Sequence, residues 1–574
     1  MAYICVALLV AILNWKQSRA IRLWPTKSCT RHSSFWQRQR RVAGRRRRAF
    51  PFQATIPKHP DDHLVSNLPN ISHYLLTAHW AGHLPVSSDG TRFFFYWLFA
   101  PDTTTETTKI DDPDVPLIIW LNGGPGCSSM NGVFLENGPF KVQDEKIQPS
   151  EHSWHRLPAY MLYIDQPIGT GLSYKTDQNT YTTADEQLQT DFYSFLQSFF
   201  RLHADKFASN HTVHRRVFFA GESYAGRYIP LFLTHILQQN QHSKLQIPIH
   251  GAAIGNGWID PYHQYAGARA AYGMGLVGLS EVHAEMTKER QCQRHLPEVS
   301  SVCDNLIPDI VHQSMGKDSE YKVSKFDVRR VEYKTGPRTF PPGKSTLEAY
   351  LRNDSVLEAL HAAEAASTAL LPFAECQKEP LHQLGHLDGH GVIPEIKFLL
   401  EQNVRLLFYN GVLDMVCHHV GTEAALENMP WEHREAWRMA DRYAFLVDNQ
   451  LAGYIKQYRD LFYLKVLNAG HMVPLDVPHV AFAMMKTFVY GQEFRISTQR
   501  QDLEQSVARS CVCCGGMASN RLKWIVMGAL VLLICMVLLS CWIISLTRRR
   551  RRQRFTLKYE GVEREENMDA LCRD

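Results

Sequence analysis

The segment Val217-Phe-Phe-Ala-Gly-Glu-Ser-Tyr-Ala-Gly-Arg-Tyr228 constrains this chain more than any other. Its opening residues are apolar and strand-forming. A serine then stands among small residues, Gly221-Glu-Ser223-Tyr-Ala225, and a helical pattern follows. This is the strand–turn–helix of a nucleophile elbow. The turn tolerates only small neighbours, and it lifts the serine hydroxyl out beside the positive end of a helix. Ala225 replaces the glycine of the simplest elbow and is small enough for the turn.

A lone serine is a poor nucleophile and needs a base held by a third group. In an α/β-hydrolase the acid and then the histidine follow later strands. Val404-Arg-Leu-Leu-Phe-Tyr-Asn-Gly-Val-Leu-Asp414 supplies a strand that ends at an acid, and Tyr463-Leu-Lys-Val-Leu-Asn-Ala-Gly-His471 a strand that ends at a histidine. The chain has 27 histidines, and position, loop and order single out His471. A glycine-rich strand end, Trp120-Leu-Asn-Gly-Gly-Pro-Gly-Cys-Ser-Ser129, lacks the lysine and spacing of a phosphate loop. Its backbone amides suit an oxyanion hole.

Other apolar runs bounded by Gly, Pro or Asn read as strands: Arg92–Phe99, Leu117–Leu121 and Met161–Ile164. Ala184–Phe200 reads as an amphipathic helix with Leu188, Phe192, Phe195, Leu196 and Phe199 on one face. Tyr224–Gln238 and His479–Tyr490 also read as helices. The alternation predicts an α/β fold with a mostly parallel sheet, and the Ser…Asp…His order is that of an α/β-hydrolase, whose core is expected at 65–257 and 381–492. Residues 258–380, rich in charge, His and Pro, read as an inserted cap region.

Trp524–Leu546 is 23 residues without a charge, the length of a membrane span. Arg548–Arg552 follow at once, so the positive-inside rule puts residues 547–574 in the cytosol and the body in the lumen, as in a single-pass type I protein. Residues 493–523 read as a linker. Residues 1–50 read as a signal or pro-segment, with an apolar run at Ala2–Leu13, or as a mis-assigned gene start. The sequons at Asn70, Asn210 and Asn353 agree with lumenal exposure. Residues 1–60 carry 13 Lys/Arg and no acid, and 547–574 carry nine against six acids. Set against chain totals of 62 Lys/Arg and 57 Asp/Glu, the body keeps 40 bases and 51 acids. An acidic body disfavours a nucleic-acid partner. No metal-ligand spacing occurs in the body, and no cofactor is expected.

Four stretches carry a family resemblance: residues 120–129, Gly221–Tyr228, Asn410-Gly-Val-Leu-Asp-Met-Val-Cys417 and Asn468-Ala-Gly-His-Met-Val-Pro-Leu-Asp476. Together they resemble the signatures of the serine carboxypeptidases, over roughly residues 65–492. Ile254-Gly-Asn-Gly-Trp-Ile-Asp-Pro261 resembles that family too. The resemblance implies a nucleophile at Ser223, a base at His471 and its orienting partner at Asp414. It implies an oxyanion hole at the amides of Gly124 and Tyr224. Asn122, Gly123, Glu136 and Glu222 would bind the substrate's C-terminal carboxylate. Two glutamates sharing a buried site hold a proton, so peptide binding should favour the acidic side of neutral. The resemblance further implies disulfides Cys127–Cys376 and Cys292–Cys303, with Cys417 free and lining the departing-residue pocket beside Met472.

The membrane span and basic tail resemble the membrane-bound, pheromone-processing branch of that family. That branch trims C-terminal Lys and Arg from precursors in the late Golgi. Tyr559-Glu-Gly-Val562 has the form of a sorting signal through which the tail could engage sorting machinery. A broad-specificity carboxypeptidase, an acyltransferase of the same fold and a non-enzymatic membrane glycoprotein are the alternatives.

Overall fold

The computed structural model describes residues 56–494, apart from 72–76, 103–111, 177–180, 210, 337–338 and 365–371. The expectations for 1–50, Asn210, the linker beyond 494, the 524–546 span and the 547–574 tail lie outside the described residues. Among the described residues no helix is long and apolar enough to cross a membrane.

The apolar runs become one sheet. In chain order its main strands are β1 (His79–Pro85), β2 (Arg92–Phe99), β3 (Leu117–Leu121), β4 (Tyr160–Ile164), β5 (Val217–Glu222), β6 (Gly251–Gly255), β7 (Arg405–Gly411), β8 (Arg442–Val447), β9 (Gln450–Tyr458) and β10 (Leu461–Val466). Their spatial order is β1-β2-β4-β3-β5-β6-β7-β10-β9-β8. From β4 to β10 the neighbours are parallel. The strands outside them are antiparallel. The central strands are buried on both faces, which is why they read as continuous apolar runs rather than alternating ones.

Alternate residues of each strand feed two cores. Leu117, Ile119, Val217 and Phe219 face one, and Ile118, Trp120, Phe218 and Ala220 face the other. Helix α1 (Asp185–Leu202) covers the first with Leu188, Phe192, Phe195 and Phe199. Helix α2 (Ala225–Asn240) lies beside it, and Phe192 stacks on Phe232 with ring centroids 4.1 Å apart. The second core is covered by the C-terminal helix Pro478–Val489. Burying each such phenylalanine contributes about 1.5–3 kcal/mol.

The 258–380 stretch packs in two ways. Helices Leu279–His295 and Ser301–Gln313 build their own small apolar cluster, with Val282, Ile307 and Ile310. Helices Lys344–Leu351 and Asp354–Ala359 instead send Leu347, Leu351 and Val356 into the second main core.

The parallel strands end in register. Gly221 pairs with Leu121, Glu222 with Gly255, Gly255 with Tyr409 and Gly411 with Val466. Their carboxyl ends therefore form one edge, where an open α/β sheet builds its site. The loops leaving it carry Asn122, Ser223, Asn256, Asp414 and His471.

Candidate active site

Ser223 follows β5 directly and holds a left-handed φ of 61°. The turn is fixed from both sides. The Ser223 amide donates to Gly255 O at 3.1 Å, and the Ser223 carbonyl accepts from Trp258 N at 2.8 Å and Gly226 N at 2.9 Å. The small residues are obligatory here. A Cβ on Gly221 would stand 2.4 Å from Leu121 O, and one on Gly226 would stand 2.6 Å from Gly257 Cα. Ser223 stands just before Tyr224, the N-cap of helix α2, whose N-terminus favours negative charge.

Asp414 and His471 come from the loops after β7 and β10. His471 Nδ1 lies 2.7 Å from Asp414 Oδ2, and both are buried. Asp414 Oδ1 accepts from Val416 N at 2.9 Å, while Oδ2 also accepts from Asn256 Nδ2 at 2.9 Å and Cys417 N at 3.1 Å. The inserted region reaches in at this point. The His471 amide donates to Phe326 O at 2.7 Å, and the Phe326 ring meets the imidazole edge-on at 5.2 Å.

The glycine-rich loop lies flat against the elbow. A Cβ on Gly123 would stand 2.3 Å from the Tyr224 amide nitrogen. Gly124 holds a φ of 115°, open to glycine. The Tyr224 amide thus meets the glycine-rich loop at the N-terminus of α2, and backbone amides are the kind of donor that a developing oxyanion requires.

Beside them sit two buried glutamates. Trp120 Nε1 and the Gly132 amide both donate to Asn122 Oδ1, at 2.7 and 3.2 Å, which turns the Asn122 Nδ2 group to the other side. There it donates to Glu136 Oε1 at 2.8 Å and to Glu222 Oε1 at 3.1 Å. Burial pushes Glu136 up to about 7. Burial, and then the charge of Glu136, push Glu222 well above its ordinary value. The two therefore share protons at neutral pH. Glu136 also feels His471, and Glu222 feels Asp414, so the pair belongs to the same site.

Cys417 is buried, and burial followed by the Asp414 charge raises its thiol well above the ordinary range. Met472 is buried next to His471. Cys127 is joined to Cys376 and Cys292 to Cys303. The first bridge ties the glycine-rich loop to the segment before β7, where Ser128 N donates to Glu375 O at 2.9 Å and Gln377 N to Gly126 O at 2.8 Å. Asn70 and Asn353 are exposed, and Asn353 Oδ1 accepts from Ser355 N at 3.0 Å. Ligand atoms of Asp414, Cys417 and His471 lie within 4.8 Å of one another, but the carboxylate–imidazole hydrogen bond already joins two of them.

The residue-level resemblance is matched at the level of the whole chain. The profile of the serine carboxypeptidases spans residues 69–491. The chain belongs to the serine carboxypeptidase family. It is a serine-type carboxypeptidase, and its substrates are peptides. A pheromone-processing carboxypeptidase of Phytophthora infestans is 37% identical over 456 residues, covering 76% of this chain and 73% of that one. A serine carboxypeptidase S10 family member of Dictyostelium discoideum is 32% identical over 79% of each chain. The crystal structure of a prohormone-processing carboxypeptidase from Saccharomyces cerevisiae shares the fold, with a TM-score of 0.67 at 24% identity over 76% of this chain and 97% of that one.

Within this carboxypeptidase two further side chains belong to the site, and the sequence signals them weakly. Asn256 lies inside the Ile254–Pro261 motif, which by itself assigns it no role. Asp388 had no local signal: it is one acid among 57 Asp/Glu, on a short turn after Gly385–Leu387. It faces the side chain that follows the elbow serine. Burial pushes its carboxyl up to about 6, opposed by the Tyr224 hydroxyl and Arg227. Its carbonyl accepts from Trp258 Nε1 at 3.0 Å, and Trp258 meets Tyr265 edge-on at 4.9 Å.

Proposed function

We propose that this carboxypeptidase removes C-terminal Lys and Arg from precursor peptides and proteins in the secretory pathway. Ser223 Oγ attacks the last peptide carbonyl. His471 Nε2 takes the serine proton and returns it to the departing amine, while Asp414 holds Nδ1. The tetrahedral oxyanion is met by the amides of Gly124 and Tyr224. The amine leaves, an acyl-enzyme remains on Ser223, and water delivered through His471 hydrolyses it. Asn122, Gly123, Glu136 and Glu222 receive the terminal carboxylate. The shared glutamate proton lets an acidic pair accept an anion, and this pair beside the elbow is the observation that carries an exopeptidase reading. Cys417 and Met472 line the pocket of the departing residue.

The preference for basic residues extends to the one that stays behind, which is also basic after a cut at paired bases: the Asp388 carboxyl, beside the Tyr224 side chain and pushed up to about 6, supplies a counter-charge there as pH rises through that value. The acidic body agrees with it. So does the similarity to the Phytophthora relative, a pheromone-processing carboxypeptidase. A Golgi or trans-Golgi location, a single span at 524–546, a cytosolic tail that meets sorting machinery through Tyr559–Val562 and glycans on Asn70, Asn210 and Asn353 complete the proposal. One observation favours a broader specificity: Cys417 and Met472, which would line the departing-residue pocket, are themselves uncharged at neutral pH.

Matched peptides ending in Arg, Lys, Leu or Phe at mildly acidic pH, offered to the enzyme and to Asp388→Asn, test this. Preferential release of Arg and Lys, weakened on substrates with a basic penultimate residue in the variant, supports it. Equal release of all four returns the enzyme to the broad reading.

A further inference from the structure

We propose that Asn256 is a positioning residue of the reaction, the group that holds the Asp414 carboxylate in place for His471. This rests on reading Asp414 and His471 as the base pair.

The argument begins with orientation. An amide side chain can donate or accept, and its neighbours decide which. The Gly411 amide donates to Asn256 Oδ1 at 2.9 Å, so the oxygen end is taken. The Nδ2 end then points at Asp414 Oδ2, 2.9 Å away, with Gly411 O as a second acceptor at 3.3 Å. The side chain is wholly buried. Its backbone is pinned as well: the Asn256 amide donates to Tyr409 O at 2.8 Å, and its φ of 38° is a left-handed value that asparagine tolerates. Asn256 thus joins the end of β6 to the end of β7 and ends on the carboxylate oxygen that also takes His471 Nδ1.

Oxygen Oδ2 accepts three donors. Cys417 N is fixed by the local turn, three residues from Asp414, and His471 arrives from another strand. Asn256 is the one side-chain donor that comes from the strand next to the nucleophile. Without it, Asp414 keeps only donors from its own loop and the imidazole that it must orient. A base displaced by an ångström can cost on the order of 100-fold.

The isosteric Asn256→Asp variant gives a signature that a structural role would not. Its Oδ1 still accepts from Gly411 N. Its other oxygen donates to Asp414 only while protonated, because two carboxylates at that distance share a proton. The ionisable groups that share the site are His471, Cys417, Glu222 and Glu136, with Lys325 acting on Cys417 and with His418 and His419 felt through the Asp414 charge.

The test is kcat and KM against pH for the full-length enzyme, Asn256→Asp, Asn256→Ala and Asp414→Asn. Active sites are counted with a serine-directed phosphonate, so that poor folding does not pass for slow turnover. We expect Asn256→Ala to lower kcat per labelled site on the order of 10–100-fold with KM little changed. We expect Asn256→Asp to approach the parent at acidic pH and to fall away as pH rises, through an ionisation absent from the parent. A parent-like pH profile and kcat per labelled site in both variants overturns the proposal. If neither variant yields labelled sites at any pH, the role is structural and the proposal also fails. Asp414→Asn separates the two readings: full activity there would overturn the base pair itself, whereas loss there with parent-like Asn256 variants overturns only the positioning role.

Discussion

Glu136 and Glu222 accept hydrogen bonds from the same Asn122 amide group, at 2.8 and 3.1 Å, in a pocket that excludes water from both. Their titration is set by burial and by each other. Glu136 is pushed up to about 7 and Glu222 stands well above its ordinary value. On the proposed reading, a substrate carboxylate bound there meets proton donors below that range and a growing negative charge above it. We predict that kcat/KM for peptides with a free C-terminus falls as pH rises through about 7. Glu136→Gln, a neutral donor at every pH, should flatten that fall. A parent profile that climbs steadily into alkali contradicts this.

Gly123→Ala should inactivate without unfolding. The added methyl would stand 2.3 Å from the Tyr224 amide nitrogen and 2.8 Å from Glu222 O, both backbone atoms. Either the glycine-rich loop or the elbow backbone must shift, and on the proposed reading these are the two walls of the oxyanion site. Loss of one such donor lowers kcat by roughly 100–1,000-fold. Turnover alongside a melting curve decides it: a parent-like kcat would mean that the loop is not part of that site.

The Cys417 thiol should react slowly at neutral pH. The family resemblance, which leaves Cys417 free beside the departing-residue pocket, would imply ready inhibition by mercurials and alkylating agents. Burial and the Asp414 charge hold this thiol protonated, and the thiolate is the reactive form. Inactivation by iodoacetamide should accelerate about tenfold per pH unit from neutral into the alkaline range. Cys417→Ser should abolish it. Equal inactivation of that variant would place the reactive group elsewhere.

Acid should weaken the fold through a buried imidazole chain. The Tyr96 hydroxyl lies 2.9 Å from His63 Nδ1 and 2.8 Å from His203 Nε2, and the His63 ring fills the space that Gly82 leaves open. Burial lowers both imidazoles to about 3. The unfolded chain takes these protons near 6.5 and the folded chain does not, so stability falls as pH drops below 6.5. Between pH 6.5 and 5 each such imidazole costs about 2 kcal/mol. Buried carboxyls such as Asp191, raised to about 7 by burial, act in the opposite sense. The clean readout is a difference: the stability gap between the parent and His203→Gln should shift by about 2 kcal/mol in the variant's favour over that range. A gap that stays constant contradicts the assignment.

What could be read from the sequence followed the reach of each signal. Ser223 was legible because an elbow is contiguous, and its strand, small residues and helix lie within twelve positions. Asp414 and His471 were legible from strand ends and chain order. Strand β6 was missed as a strand because Gly-Ala-Ala-Ile-Gly has little strand character. Its residues are small because Gly255 packs on the Tyr409 ring and Gly251 on Arg405 O, contacts that belong to the tertiary fold. Glu136 and Glu222 stand far apart in the chain, and only the family resemblance drew them together. Asp388 and Asn256 meet Tyr224 and Asp414, side chains more than a hundred positions away, which no local pattern records.

The most direct test of the account is product analysis on paired peptides that differ only at the terminus, one a free acid and one an amide. Both go to the parent enzyme and to Ser223→Ala at mildly acidic pH. The account predicts release of a single C-terminal residue from the acid, much slower attack on the amide, and no release by the variant. Equal cleavage of acid and amide, or activity that survives Ser223→Ala, would contradict it.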